Sequence, residues 1–205
     1  MKIAIIGAGN VGGALARQLI KAGHTVLIGA KLPLSEKSIK LATLIGEDRF
    51  TSFEFAAKQT ETIIIASNPI AVGEISKQLG DVKDKVIIDA MNSVSSKPAG
   101  FENTFDALKS LTNCENVVKC FNSTGFENME NPIYNGVGID MFASGSSLKA
   151  KEVAKQLSKD TGFAECYDFG GDDKVELLEQ FAMSWINLAI IQKHGRGIAF
   201  KVLKR

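Results

Sequence analysis

A short apolar run, Lys2-Ile3-Ala4-Ile5-Ile6, breaks at Gly7-Ala8-Gly9-Asn10-Val11-Gly12, and no other stretch limits the possible folds of this chain so tightly. Gly7, Gly9 and Gly12 fall in a G-x-G-x-x-G spacing. Behind them, Gly13-Ala14-Leu15-Ala16-Arg17-Gln18-Leu19-Ile20 places apolar residues at helical intervals. A strand, a glycine turn and a helix start in that order form a dinucleotide-binding fingerprint. Gly7 permits the tight turn, Gly9 lets the backbone approach a pyrophosphate, and Gly12 lets the helix pack close to the strand. With Ala8, Asn10 and Val11 they make a loop whose unpaired N–H groups, at a helix N-terminus, suit a pyrophosphate.

The same alternation continues along the chain. Strands are expected at 2–7, 25–30, 48–50, 61–66, 85–90, 116–121, 139–144 and 163–168, and helices at 10–22, 35–45, 52–59, 70–80, 101–110, 146–160 and 172–193. Thr62-Ile63-Ile64-Ile65-Ala66 and Lys85-Val86-Ile87-Ile88-Asp89 are near-continuous apolar runs, as in parallel strands buried on both faces. The expected fold is α/β: a doubly wound, mostly parallel Rossmann-type sheet with a small C-terminal elaboration. The 205 residues, 45% hydrophobic, suit a single NAD(P)-binding domain over 1–205. Segments 93–100 and 128–138 read as loops past strand ends, where such sheets bind ligands. The 172–193 helix opens on Asp172-Asp173, which favour a helix start, and carries a broad apolar stripe. Trp185 in that stripe reads as core, and the stripe is wide enough to include a subunit contact.

Composition narrows the function. The formal net charge is +1, which gives no electrostatic case for nucleic acid or an anionic membrane. No apolar run reaches the ~18 residues of a membrane span. The N-terminus already reads as a strand, so no signal peptide is expected. Cys114, Cys120 and Cys166 are odd in number and lack metal-type spacing, so they read as reduced thiols of a cytoplasmic protein, packed as small hydrophobes. His24 and His194 are the only histidines; His24, in a Gly-His-Thr turn, reads as structural. No metal site and no catalytic acid–base dyad is expected.

Cofactor choice is readable at the end of the second strand. NAD-binding folds carry an acid there, about 20 residues past the glycines. This chain has Ile28-Gly29-Ala30-Lys31, with no acid before Glu36. A carboxylate would repel a 2′-phosphate and Lys31 would attract it, so Ala30 and Lys31, assisted by Ser35 and Lys37, point to NADP(H). Two further strand ends supply contacts to the nicotinamide ribose: Ser67-Asn68-Pro69, with Pro69 suited to a first helical turn, and Met91-Asn92.

These residues resemble the NADPH-dependent coenzyme F-420 (deazaflavin) reductase family, the predicted dinucleotide-binding oxidoreductases. The resemblance runs through Ile5-Ile6-Gly7-Ala8-Gly9-Asn10-Val11-Gly12 and through Gly23-His24-Thr25-Val26 with Gly29-Ala30-Lys31. It is strongest in Val117-Val118-Lys119-Cys120-Phe121-Asn122-Ser123-Thr124-Gly125 with Glu127-Asn128-Met129, and includes the tail Gly195-Arg196-Gly197-Ile198-Ala199-Phe200-Lys201. It implies hydride transfer between NADP(H) and a deazaflavin or flavin. It also implies a cofactor and acceptor segment at 122–126 (Asn122, Thr124, Gly125), an acceptor-binding part over about 122–205, and a homodimer formed through the C-terminal part. The family's Ser-Arg pair for the 2′-phosphate is Ala30-Lys31 here: one hydroxyl is lost, and a bidentate guanidinium becomes a point charge. As acceptor, a flavin, a quinone or an iron chelate stays open beside the deazaflavin. Two alternatives remain. One is a β-hydroxyacid or imine dehydrogenase, faintly suggested by Gly170-Gly171-Asp172-Asp173-Lys174, although Leu178 stands where an Asn should follow. The other is a non-catalytic NADP-sensing module.

Overall fold

The computed structural model describes residues 1–30 and 35–205. Lys31, assigned above to the 2′-phosphate, lies outside the described residues. Six strands, β1 (Lys2–Ile6), β2 (Thr25–Gly29), β3 (Phe50–Thr51), β4 (Thr62–Ile65), β5 (Val86–Asp89) and β6 (Val117–Cys120), pair in parallel in the spatial order 3-2-1-4-5-6. This doubly wound order reverses beside β1, and the crevice at the carboxyl ends of β1 and β4 is where such sheets bind dinucleotides. The alternation along β1 buries both faces. Ile3 and Ile5 join one apolar cluster, with α1 (Asn10–Lys21) and α7 (Leu148–Asp160). Ala4 and Ile6 join the other, with α3 (Phe53–Gln59), α4 (Val72–Gln78) and α5 (Thr104–Thr112).

Two further strands extend the sheet past β6. β9 (Met141–Ser144) pairs antiparallel with β6, and β10 (Cys166–Gly170) pairs parallel with β9. Between them and β6, part of the loop expected at 128–138 is ordered. It holds the end of helix α6 (Phe126–Glu130) and a hairpin of β7 (Ile133–Tyr134) with β8 (Val137–Gly138). Asn135 and Gly136 turn this hairpin with positive φ (50° and 82°), as a two-residue Asn-Gly hairpin turn requires.

The helix expected over 172–193 is three pieces. A 3₁₀ turn (Asp172–Lys174) precedes α8 (Val175–Ile186), which continues as a π-helical turn (Asn187–Ile191). Asp172 takes the Lys109 ammonium (2.8 Å) and the Ser146 N–H (2.6 Å), tying that turn to α5. Trp185 is buried, and its Nε1 donates to the Ile198 carbonyl (2.7 Å), folding the tail back over α8. His24 is structural as read: its ring joins Asp160 (2.9 Å) and the N-terminal amine (3.1 Å).

Candidate dinucleotide site

The three glycines of the fingerprint are glycine for different reasons. Gly7 has φ +117°, and a Cβ there would lie 2.3 Å from the Ala66 carbonyl oxygen. A Cβ on Gly12 would lie 2.0 Å from the Gly7 carbonyl oxygen. Both are required by the turn and by helix–strand contact. Gly9 is otherwise: its φ of −76° and ψ of −169° suit any residue, and a Cβ would meet nothing within 4 Å. The fold gives no reason for a glycine there. The open space above Gly9 is what a ligand approaching the backbone needs.

The helix behind Gly9 also lacks a cap. Ser35, Ser52, Asn103 and Ser147 each accept a backbone N–H at the start of α2 (Glu36–Ile45), α3, α5 and α7. At α1 no side chain does so, and its first turn holds no acid. The first helical bond is Gly13 N–H to Gly9 C=O (2.8 Å), so the N–H groups of Asn10, Val11 and Gly12 have no helical acceptor. Bare donors at the positive end of a helix suit an anion, and the residues present fit the pyrophosphate of a dinucleotide. Beside them runs a cleft of about 160 Å³ whose lining includes Asn10, Lys37, Phe126, the ion pair of Arg17 with Glu130, and Lys40, which is held by Glu36. Ala30 is half-buried at the end of β2. Ser35 caps α2, accepting from Ser38 N–H (3.2 Å) with its hydroxyl 2.7 Å from that of Ser38.

The other predicted residues gather at the carboxyl ends of β4, β5 and β6. Asn68 Oδ1 caps the turn at Pro69–Ala71 by accepting from Ile70 N–H (3.0 Å), with Pro69 in its first turn. Ser67 precedes it, next to the Ala66 carbonyl that presses on Gly7. Met91 is buried, and its N–H and C=O are taken by Asp89 (3.0 Å) and Lys119 (3.0 Å), so it shapes the turn rather than lining open space.

Asn92 and Asn122 hold each other: Asn92 Nδ2 donates to the Asn122 carbonyl (2.8 Å), and Asn122 Nδ2 donates to Asn92 Oδ1 (3.1 Å). Those bonds fix the orientation of both amides. They leave Asn122 Oδ1 buried with no donor, which is costly unless a ligand supplies one. Phe121, just before it, has φ +63°. That is an outlier for a bulky residue, of the kind that costs about 1–3 kcal/mol and gathers at ligand sites.

Two features depart from the sequence reading. Thr124 accepts from Asn128 Nδ2 (2.7 Å), but Gly125 does not face open space. A Cβ there would lie 2.7 Å from Trp185 Cη2 and 2.6 Å from Glu127 Oε2. Bulk at Gly125, a position the resemblance assigns to the cofactor and acceptor segment, would push against Trp185 of α8. Even Gly125→Ala is expected to cost about 1–3 kcal/mol by overpacking, read as a lowered urea midpoint. An unchanged midpoint would show that the ring moves freely.

The second feature escaped the sequence reading altogether. Lys119, 0% exposed, places its ammonium 2.8 Å from Asp89, 2.5 Å from Glu179 and 3.1 Å from Thr104 Oγ1. Asp89 accepts also from Thr104 Oγ1 (2.6 Å). This network joins the ends of β5 and β6 to α8. Lys174, the lysine of the dehydrogenase alternative, is exposed and paired with Asp173. It follows the end of β10, which runs against β1–β6, away from their carboxyl ends.

Residues 2–93 match the family model described as NADP oxidoreductase, coenzyme F420-dependent. Over that stretch the chain is similar to an NADP-dependent oxidoreductase family. The match covers the fingerprint, the end of β2 and the turns after β4 and β5, so the resemblance read from the sequence holds there. No curated protein matches the chain by sequence.

Among solved structures, a candidate F420-dependent NADP reductase from Arthrobacter sp. FB24 is 23% identical, with a TM-score of 0.85 over 100% of both chains. An imine reductase from Streptomyces aurantiacus is 13% identical (TM-score 0.69), over 94% of this chain and 64% of that one. A reductive aminase from Aspergillus terreus, in complex with NADPH and ethyl levulinate, is 16% identical (TM-score 0.66), over 93% and 62%. At such identities the likeness is one of fold. No described helix is long and apolar enough to cross a membrane.

Proposed function

We propose that this oxidoreductase transfers a hydride between NADP(H) and a flavin- or deazaflavin-like acceptor. The observation that carries the reading is the uncapped N-terminus of α1 behind an open Gly9, joined to a second strand that ends without a carboxylate. NADPH, when bound, supplies the hydride, and such cofactors need orientation from the protein rather than acid–base groups. The N–H groups of Asn10, Val11 and Gly12 hold the pyrophosphate. Lys31 attracts the 2′-phosphate, and Lys37 adds positive charge nearby. Asn122 Oδ1, held by Asn92, accepts an amide N–H at the carboxyl end of β6. Segment 122–205 carries the acceptor. Leu177, Ile190 and Ile191, exposed on α8 and its π turn, supply the apolar face of a homodimer, and gel filtration at the monomer mass would remove that part of the reading.

The decisive assay is NADPH oxidation against deazaflavin, flavin, quinone and ferric-chelate acceptors. Turnover with the first two is expected. Turnover only with an imine or a hydroxyacid would favour the dehydrogenase alternative, and tight NADPH binding without any turnover would favour a sensor.

Cofactor preference is a separate prediction. One charge-assisted hydrogen bond to the 2′-phosphate is worth ~1.5–3 kcal/mol, roughly a ten- to hundredfold preference for NADPH over NADH. Lys31→Ala is expected to erase much of it. Ala30→Asp is expected to reverse it, by repelling the phosphate and accepting the ribose hydroxyls. Added salt should shrink it, as screening does to a surface contact. Equal wild-type dissociation constants for the two cofactors would sink the assignment.

A further inference from the structure

Thr124 stands two residues past Asn122, in the turn between β6 and α6, and is half-buried. Its hydroxyl is tied to the buried Asn128, and the direction of each bond around Asn128 follows from what its partners are able to do. The Ile198 carbonyl only accepts, so the Asn128 amide presents Nδ2 to it (2.7 Å). The second hydrogen of Nδ2 goes to Thr124 Oγ1 (2.7 Å). On the other side, Asn128 Oδ1 accepts the Tyr134 hydroxyl. Both amide hydrogens are used, and the amide has no freedom to flip.

The consequence falls on Thr124. A hydroxyl has one hydrogen and two lone pairs. Asn128 fills a lone pair and, being a donor there, does not take the hydrogen. Among the described residues no protein group accepts it. The Thr124 O–H is left as a donor. Asn122, 2% exposed, holds the opposite group, a buried Oδ1 acceptor with no donor. One short turn at the carboxyl end of β6 therefore carries a spare donor and a spare acceptor. Together they complement a primary carboxamide, which offers a C=O and an N–H on one planar group.

We propose that Thr124 is a specificity-determining residue for the nicotinamide end of NADP(H). Its O–H donates to the carboxamide oxygen while Asn122 Oδ1 accepts the carboxamide N–H. Asn128 is its positioning residue: by donating to Oγ1 it reserves the Thr124 hydrogen for the ligand. The inference rests on the dinucleotide reading above and adds the group that fixes the rotation of the carboxamide against its ring.

Calorimetric titration of the native protein with NADP+, with no acceptor present, tests it. Thr124→Val is expected to weaken NADP+ binding roughly two- to tenfold, the range of one net hydrogen bond. Thr124→Ser, which keeps the hydroxyl, should bind as wild type does. The thionicotinamide analogue of NADP+, whose sulfur accepts poorly, should bind wild type more weakly than NADP+ and lose nothing further in Thr124→Val. Asn128→Asp makes the neighbour of Thr124 an acceptor only, which draws the O–H inward. It should weaken NADP+ binding clearly more in the wild-type background than in Thr124→Val, whereas a loosened tail or the added charge would act equally in both. Equal wild-type affinity for NADP+ and its thio analogue would overturn the proposal without any variant. So would a Thr124→Val protein that binds NADP+ as wild type does, or a Thr124→Ser protein as weak as Thr124→Val. Additive effects of Asn128→Asp and Thr124→Val would overturn the role given to Asn128. Wild-type protein that does not bind NADP+ at all would instead overturn the dinucleotide reading beneath it.

Discussion

Gly9→Val is expected to leave the protein folded and to raise the NADPH dissociation constant by about a hundredfold or more, equivalent to ~2.8 kcal/mol. The argument rests on the contrast among three glycines in one turn. At Gly9 the backbone is extended and a Cβ meets nothing within 4 Å. The only structural cost of valine is a poorer helix cap, about 1 kcal/mol or less. For a pyrophosphate the same side chain stands over the N–H groups of Asn10, Val11 and Gly12. Gly12→Ala should behave in the opposite way. Its Cβ would stand 2.0 Å from the Gly7 carbonyl oxygen and 3.3 Å from Ile5 Cγ2, so α1 must move off β1, and stability falls with binding. Urea unfolding and calorimetric titration of both variants separate the two effects. A folded Gly9→Val protein that binds NADPH as wild type does would show that the space above Gly9 is not the pyrophosphate site.

Much of this fold was legible in the sequence because its core strands are buried on both faces. Runs such as Thr62–Ile65 and Val86–Asp89 announce themselves without help from neighbours, and the glycine turn places β1 beside β2. The reversal at β9 was not legible: Met141–Ser144 is as apolar as the parallel strands, and only its pairing with Lys119 and Cys120 sets its direction. The contact of Gly125 with Trp185 was hidden for a similar reason, since the two meet through tertiary packing of α8. The Asn92–Asn122 pair shows a middle case. The residue types and strand ends were readable, but the lock that leaves Asn122 Oδ1 without a donor depends on distances across β5 and β6. The Lys119 network did leave a signal. A lysine inside Val117-Val118-Lys119-Cys120-Phe121 and an aspartate ending Ile87-Ile88-Asp89 are opposite charges in buried runs, and they prove to be register partners on adjacent strands.

Lys119→Met is expected to lower stability by about 3–5 kcal/mol, the loss that follows when one partner of a buried ion pair is removed. Methionine keeps much of the side-chain volume, so the loss reports charge rather than a cavity. Asp89 would retain the Met91 N–H and Thr104 hydroxyl, but the ammonium shared by two carboxylates would be gone. Both carboxylates are buried, at 0% and 7% side-chain exposure, and only Glu179 borders a small cleft, so water replaces the ammonium poorly. Set against a typical domain stability of about 5–15 kcal/mol, that is a third or more of the total. Lys119→Met combined with Glu179→Gln should recover part of the loss, because it removes one of the two uncompensated charges, and that non-additivity is what contacting groups show. The same ammonium holds the Met91 carbonyl (3.0 Å), one residue before Asn92. NADPH affinity is therefore expected to fall in the folded fraction of the single variant as the turn after β5 loosens. Urea midpoints of the wild type, the single variant and the double variant decide the matter. A loss below about 1 kcal/mol in Lys119→Met, within the range of an exposed pair, would show that the ammonium does not compensate these carboxylates.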